Sequence, residues 1–199
     1  MTHFTFISII FGVLVGYFFF PESLSSTIDT LMSYSLHILL FGVGIDLGRK
    51  NSLLKQLKNL GIKVLLVPFG VIIGTLFGSI VAGFLIKLPL HESLAIGSGF
   101  GWYSLSAIII TKSYNVEIGT LAFMTNLIRE LLTIGLIPIL AKKLSPISVI
   151  APGGATTMDT TLPLIQKATD PQITVIAFVN GIVLSALVPI LVSFFIQKM

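Results

Sequence analysis

The feature that most constrains this chain is a membrane-length apolar stretch, residues 117–141, with an arginine and a glutamate side by side at its middle. A helix rises ~1.5 Å per residue, so Arg129 and Glu130 lie near the centre of a hydrocarbon layer roughly 30 Å thick. Asn126 lies one helical turn earlier, on the same face. A charge exposed to lipid at that depth costs about 3 to more than 10 kcal/mol. The stretch therefore predicts a spanning helix whose polar side chains face protein or a wet cavity.

Two interpretations of Arg129 and Glu130 follow. Neighbours in sequence point about 100° apart on a helix, so the two charges do not simply cancel, and each needs its own partner. They either hold helices together or belong to a transport pathway. We favour the second for at least one of them, because ionisable groups inside membranes usually mark such pathways.

Composition indicates an integral membrane protein. Of 199 residues, 54% are hydrophobic and 10% charged, whereas a soluble domain carries about 25% charged residues. There are no cysteines, which excludes disulfides and thiolate metal sites. The net charge of +4 comes mostly from basic residues in the predicted cytoplasmic loops, so it does not indicate a nucleic-acid-binding surface. The apolar N-terminal stretch has no basic region before it and no small-residue cleavage site after it, so we interpret it as a retained helix.

Five apolar stretches predict transmembrane helices. They cover residues 4–20, 29–48, 62–86, 117–141 and 174–196. The loop after the second holds the densest basic cluster, Arg49, Lys50, Lys55, Lys58 and Lys63. The positive-inside rule makes this loop cytoplasmic, which puts the N-terminus inside and the C-terminus outside. The predicted fold is an all-α polytopic membrane protein, with residues 1–89 as scaffold and 90–199 as transport core.

Two further segments, residues 90–112 and 146–167, do not resemble continuous helices. Glycine, proline and hydroxyl side chains interrupt both, and broken backbone at membrane depth survives only where it is buried or lines water. Each is a re-entrant hairpin or a discontinuous span; the second choice gives seven spans. With hairpins, eight basic residues lie on the cytoplasmic side and three outside; with full spans, seven lie on the cytoplasmic side and four outside. The positive-inside rule therefore favours hairpins. Hairpin, helix, hairpin, helix is the inverted-repeat arrangement of many transporters.

Hairpin tips offer a polar substrate unpaired backbone groups and close approach. The predicted tip residues are Gly97, Ser98, Gly99, Gly101, Trp102, Tyr103, Ser104, Ser106, Gly153, Gly154, Thr156, Thr157 and Thr160. We predict the substrate or proton site from Glu130, Arg129, Asn126 and the tip carboxylate Asp159. The hydroxyls suit an amino acid's ammonium and carboxylate, or a cation.

Trp102, Tyr103, Asp46 and His37 are each open to two interpretations. Trp102 and Tyr103 either stack on a ligand or pack the hairpin against the scaffold. Asp46 is a site residue or, as we favour, a solvated carboxylate at a helix end. His37 is a lone histidine on an apolar helix, and we favour a packed side chain over a proton relay. Asn180, in the last predicted helix, is within reach of the second tip.

Three motifs carry a family resemblance. The run GSGFGWYSLS at 97–106, N-x-x-R-E at 126–130, and GGATTMD with TLP at 153–163 resemble the bacterial lysine exporter (LysO) family over nearly the whole chain. The resemblance implies export of lysine or related basic amino acids across the cytoplasmic membrane in exchange for protons. It also implies that Glu130 is the intramembrane acid and that the two glycine-rich segments form the family's core.

The chain departs from the family's pattern at its start. Family members typically carry further N-terminal helices similar to residues 6–48. We therefore expect a split transporter, in which a small membrane protein supplies those helices, or alternatively a homo-oligomer.

Two other functions remain as alternatives. The same fold could carry a cation by proton antiport, or a carboxylate; or the chain could be a non-transporting subunit that stabilises a partner. An enzyme is not expected, since no His-Glu-x-x-His, P-loop or Gly-x-Ser-x-Gly motif occurs. We expect no cofactor and no metal.

Overall fold

The computed structural model describes residues 61–197 continuously and, before them, isolated helical positions between residues 11 and 45. The chain divides into two compact units, Met1–Gly48 and Arg49–Met199. The described positions of the first unit are helical and mostly exposed. Asp46, His37 and most of the predicted basic loop lie outside the described residues.

The second unit is helical throughout its described part, which confirms the all-α prediction there. Its helices are α1 Leu66–Ile86, α2 Leu90–Gly97, α3 Tyr103–Ser113, α4 Val116–Lys143, α5 Ile150–Gly153, α6 Leu162–Ala168 and α7 Pro171–Ile196, with 3₁₀ turns at Gly61–Leu65, Pro146–Val149 and Gly154–Met158. Within the described residues, α1, α4 and α7 are long and apolar enough to cross a membrane. They coincide with three of the five predicted spans.

Helices α1 and α2 run antiparallel in close contact. A Cβ at Gly83 would overlap the Ser93 side chain, and one at Gly97 would overlap Ser79. Both contacts need a glycine, because small residues let two helix backbones approach each other. Helix α1, predicted as scaffold, therefore packs directly on the first broken segment.

The first broken segment folds back on itself. Helix α2 ends at Gly97, and the chain turns through Phe100 (φ 45°) and Gly101 (φ 97°). The Tyr114 hydroxyl, just after α3, then donates to Glu92 in the first turn of α2 at 2.5 Å. The two ends of the segment thus meet, and residues 98–102, named here the first tip, form the turn between α2 and α3.

The second broken segment runs back along α4 before it reaches α7. Arg129 donates to the Pro152 carbonyl in α5, which ties the incoming arm to α4. Helix α6 leads into α7, whose first turn is capped by Asp170 at 3.0 Å from the Ile173 amide. Residues 153–161 between the arms are named here the second tip.

The apolar core lies between the first tip's arms and the second half of α7. A cluster of buried side chains fills it, including Ala95, Ile96, Phe100, Ile110, Ala122, Leu184, Val188, Val192 and Ile196. The end of α7 thus supports the first tip, while its first half contacts the second.

Candidate substrate site between the two tips

The two tips meet through their backbones. The Ala155 amide donates to the Phe100 carbonyl at 2.8 Å. A Cβ at Gly154, whose φ is +60°, would overlap that carbonyl oxygen, and a Cβ at Gly101 would lie 3.3 Å from the Gly153 oxygen. Glycine at 101 and 154 therefore permits both the left-handed conformation and the backbone contact.

Asn126 fastens the first tip to α4. Its Oδ1 accepts from the Gly101 amide at 2.7 Å, and its Nδ2 donates to the Ile96 carbonyl at 3.0 Å. A Cβ at Gly99 would lie only 2.5 Å from this Nδ2. The buried amide thus pairs the Gly101 N–H and gives a second donor to the Ile96 carbonyl, which also accepts from the Gly99 amide.

Arg129 fastens the second tip in a different way. Its Nε donates to the Pro152 carbonyl at 2.8 Å, and its Nη2 donates to the Ala151 carbonyl and the Thr75 hydroxyl, each at 3.2 Å. It makes no ion pair with any residue that the structure describes. The guanidinium instead faces carbonyl groups at the end of α5, where the helix carries partial negative charge.

Glu130 faces the other side of the second tip. The side chain is only 8% exposed and lies beside the Thr160 side chain and the Asp159 carboxylate, close enough to interact with both. Asp159 in turn accepts from the Thr160 amide at 2.5 Å. Two carboxylates and a hydroxyl thus converge at the middle of a spanning helix, an arrangement that favours one bound cation or one shared proton.

The second tip's threonines mostly stabilise its backbone. Thr157 donates to the Gly154 and Ala177 carbonyls at 2.8 and 2.7 Å, and Thr156 donates to Gly153 at 2.9 Å. Asn180 reaches this tip from α7, its Nδ2 lying 3.0 Å from the Gly154 oxygen and 3.0 Å from the Thr157 hydroxyl.

The hydroxyls of the first tip are likewise engaged locally. Ser98 donates to the Leu94 carbonyl at 2.6 Å, and Ser106 to that of Trp102 at 2.9 Å. Both bonds follow the i to i−4 pattern that serine adopts in helices. These two side chains complete the arms of the segment, and Ser104 is exposed.

Trp102 at the end of the first tip and Tyr103 at the start of α3 differ in their surroundings. The Tyr103 ring packs edge-to-face on Phe123 of α4, with centroids 5.2 Å apart. Trp102 is 36% exposed. Packing against the scaffold therefore describes Tyr103, whereas Trp102 presents a surface to its surroundings.

Sequence reasoning missed three residues of this arrangement. Phe100 and Ala155 carry the bond between the tips with backbone atoms, and only their position between glycines could have indicated it. Glu92 was also missed. Its hydrogen bond with Tyr114 raises the pKa of that tyrosine above its ordinary value, with burial and the carboxylate charge acting in the same direction. Among the described residues, no group of three His, Cys, Asp or Glu side chains could hold a metal ion.

These features define a multi-pass helical membrane protein with two broken segments. The sequence model of the family described as "Lysine exporter LysO" matches residues 6–196, so the chain belongs to the lysine exporter LysO family.

Two curated relatives are described as lysine exporters, one of them as putative. The chain is 43% identical to "Lysine exporter LysO" of Escherichia coli (strain K12) over 162 residues, 81% of this chain and 54% of the relative. It is 37% identical to a "Putative lysine exporter" of Haemophilus influenzae (strain ATCC 51907 / DSM 11121 / KW20 / Rd) over 168 residues, 81% of this chain and 82% of the relative. The chain thus spans about half the length of the E. coli protein. No solved structure gives a significant match.

Proposed function

We propose that this chain is the core of a transporter that exports lysine or related basic amino acids across the cell membrane in exchange for protons. The observation that carries the proposal is the pair of carboxylates beside the second tip, with Glu130 buried and Asp159 partly buried, next to the exposed hydroxyl of Thr160. Two carboxylates in a membrane interior favour a cationic cargo, and membership of the lysine exporter family supports a side-chain ammonium as that cargo.

The membrane arrangement that we propose has two re-entrant hairpins entering from opposite leaflets. It is supported by the bond between Tyr114 and Glu92, which brings the two ends of the first broken segment together. It is also supported by the bond between Ala155 and Phe100, which joins the tips. The first broken segment is followed by α4, and the second by α7, so a hairpin and a helix occur in this order twice. Transporters with such repeats bind their cargo near the midplane of the membrane.

In this mechanism Glu130 binds either a proton or the ammonium of the substrate, not both at once. Asp159 contributes the second negative charge, and Thr160 orients the Glu130 carboxylate. Arg129 acts as a positioning residue, because it donates hydrogen bonds to Thr75 and to the carbonyl groups of α5. A role for Arg129 toward the substrate carboxylate stays a prediction.

We also propose that the working unit contains a second membrane chain or a second copy of this one. The chain matches only 54% of the E. coli relative's length, and the resemblance predicts further helices. Lysine counterflow by proteoliposomes with and without the candidate chain, together with the mass of the purified complex, tests this.

The experiment that tests the function is lysine efflux from proteoliposomes under a pH gradient, comparing the parent with Glu130→Gln. Loss of one member of a buried charge group costs about 2–5 kcal/mol, so we expect at least a ~10-fold loss of efflux. Glu117→Gln is the matched control, because Glu117 is exposed in the first turn of the same helix. Full pH-driven efflux by Glu130→Gln would refute the proposed role.

The same assay separates the alternative cargoes. Sodium-driven uptake that is indifferent to lysine would identify a cation antiporter. A parent complex that moves neither, while stabilising a partner chain, would identify a non-transporting subunit.

A further inference from the structure

Asn180 has a buried oxygen without a hydrogen-bond partner. The side chain is 0% exposed, and its Oδ1 accepts no hydrogen bond from any residue that the structure describes. The orientation of the amide is fixed by its neighbour: the Gly154 carbonyl, 3.0 Å away, can only accept, so the nitrogen must face it. A buried unpaired acceptor is costly and calls for an explanation.

A repeated spacing in the sequence suggests an explanation for the unpaired Asn180 oxygen. Gly99 and Gly153, Gly101 and Ala155, and Asn126 and Asn180 are each separated by the same 54 positions. The two asparagines also lie at similar depths in their helices, Asn126 11 residues after the cap Asn115 and Asn180 10 residues after the cap Asp170. These three pairs of positions therefore have the same spacing around the site.

The hydrogen bonds of the two asparagines differ. Asn126 Nδ2 donates to Ile96, whereas Asn180 Nδ2 donates to Gly154 and Thr157, and the two oxygens differ as well. Asn126 Oδ1 accepts from the Gly101 amide, 25 residues earlier. The equivalent donor for Asn180 is the Ala155 amide. That amide instead donates to Phe100 of the opposite tip at 2.8 Å, which leaves the Asn180 oxygen unpaired.

We propose that Asn180 Oδ1 is the acceptor that the Ala155 amide uses in a second conformation of the two tips. When the bond between Ala155 and Phe100 opens, the amide turns to Asn180. The Gly101 amide then leaves Asn126 and donates to Gly154, the counterpart of Phe100 at the same 54-residue spacing. Asn126 and Asn180 are thus positioning residues that exchange roles.

Two physical reasons support the exchange. An N–H group that loses its acceptor in a dry interior is strongly destabilised unless another acceptor is near. The Asn180 amide already contacts the carbonyl of Gly154, the residue next to Ala155, so a small rotation brings Oδ1 to the amide. Each conformation leaves one asparagine oxygen unpaired, so the two lie close in energy and a bound cargo can shift their populations.

The inference rests on the proposed function in requiring tips that move in a transport cycle, but not on the identity of the cargo. It is tested without measuring transport. The chain has no cysteine, so Thr160→Cys introduces a single thiol at an exposed position of the second tip. The rate at which a membrane-impermeant maleimide labels it in proteoliposomes reports the population of the conformation described here.

Asn126→Ala and Asn180→Ala form a matched pair in this background. Asn126→Ala removes an oxygen acceptor used in the present conformation, and Asn180→Ala removes an oxygen acceptor used only in the other. Each variant also loses the Nδ2 bonds of its amide, to Ile96 or to Gly154; the proposal takes these bonds as made in both conformations, so that they do not shift the populations. One hydrogen bond corresponds to about a fivefold change in population, so we expect the labelling rates to change about fivefold in opposite directions. Equal changes in the same direction, or none in either variant, would overturn the exchange and indicate a purely structural role.

Thermal unfolding in detergent shows whether both variants fold. If Asn180→Ala does not, Asn180→Asp at acidic pH keeps an oxygen in the place of Oδ1, because a neutral carboxyl has the shape of the amide. We expect it to label at the parent rate, and a fivefold shift would contradict the inference. Opposite shifts in a protein that does not move lysine would refute the cargo and leave the exchange standing.

Discussion

Replacing Gly154 by alanine tests the contact on which the site depends. Gly154 has φ 60° and ψ −125°, a region essentially restricted to glycine, and strain of this kind costs about 1–3 kcal/mol. The added Cβ would also overlap the Phe100 carbonyl oxygen, so the bond from Ala155 must lengthen or break, at about 1 kcal/mol. The two effects together predict a loss of roughly 2–4 kcal/mol.

Thermal unfolding in detergent measures this loss. For a chain of this size, 1 kcal/mol corresponds to roughly 2–4 °C, so the Tm of Gly154→Ala should fall by about 5–15 °C. Gly74→Ala is the matched control, because a Cβ at Gly74 would meet nothing within 4 Å and alanine favours helix. Lysine counterflow should fall with Gly154→Ala and persist with Gly74→Ala. If the two variants had the same Tm and counterflow, the tips would not be joined as described.

Two further predictions concern the groups that hold the broken segments in place. Arg129→Lys keeps the charge but loses the planar fork that contacts Pro152 and Thr75; we expect a loss of about 1–3 kcal/mol in thermal unfolding, and an unchanged Tm would show that the fork is dispensable. Tyr114→Phe removes the bond to Glu92 and should lower the Tm at neutral pH. The pKa of Tyr114 is raised above 10.0. The stability that the protonated hydroxyl contributes is therefore fully present below pH ~10 and is lost as pH rises through the raised pKa. A Tm difference between Tyr114→Phe and the parent that grew at alkaline pH would contradict this sign.

The sequence was sufficient to locate both breaks and the spanning helices between them. Glycine at 97, 99 and 101 and the Pro-Gly-Gly run at 152–154 cannot continue a helix at low cost, and the described helices end there. The 100° separation of Arg129 and Glu130 also predicted separate partners. Arg129 donates to the Pro152 carbonyl, whereas Glu130 lies beside Thr160 and Asp159.

The sequence could not tell which polar groups remain available to a ligand. Ser98, Ser106 and Thr157 were predicted as tip hydroxyls suited to a polar substrate, and in the structure each hydroxyl donates to a backbone carbonyl. Such bonds depend on the local backbone dihedrals, which a residue type alone does not specify. For the same reason the backbone atoms of Phe100 and Ala155 gave no signal in the sequence, although they join the two tips.

The charges around the second tip bear on the stoichiometry of the proposed exchange. Arg129 contributes one positive charge, while Glu130 and Asp159 contribute two negative charges, so the ionised group carries a formal net charge of −1. A proton, or a lysine carrying one net positive charge, brings the group to neutrality, and charge at membrane depth is costly. Both half-cycles then carry a neutral site through the membrane interior, provided that one proton replaces one substrate. The arrangement therefore predicts electroneutral one-for-one exchange, in which lysine efflux responds to the pH gradient and not to the membrane potential.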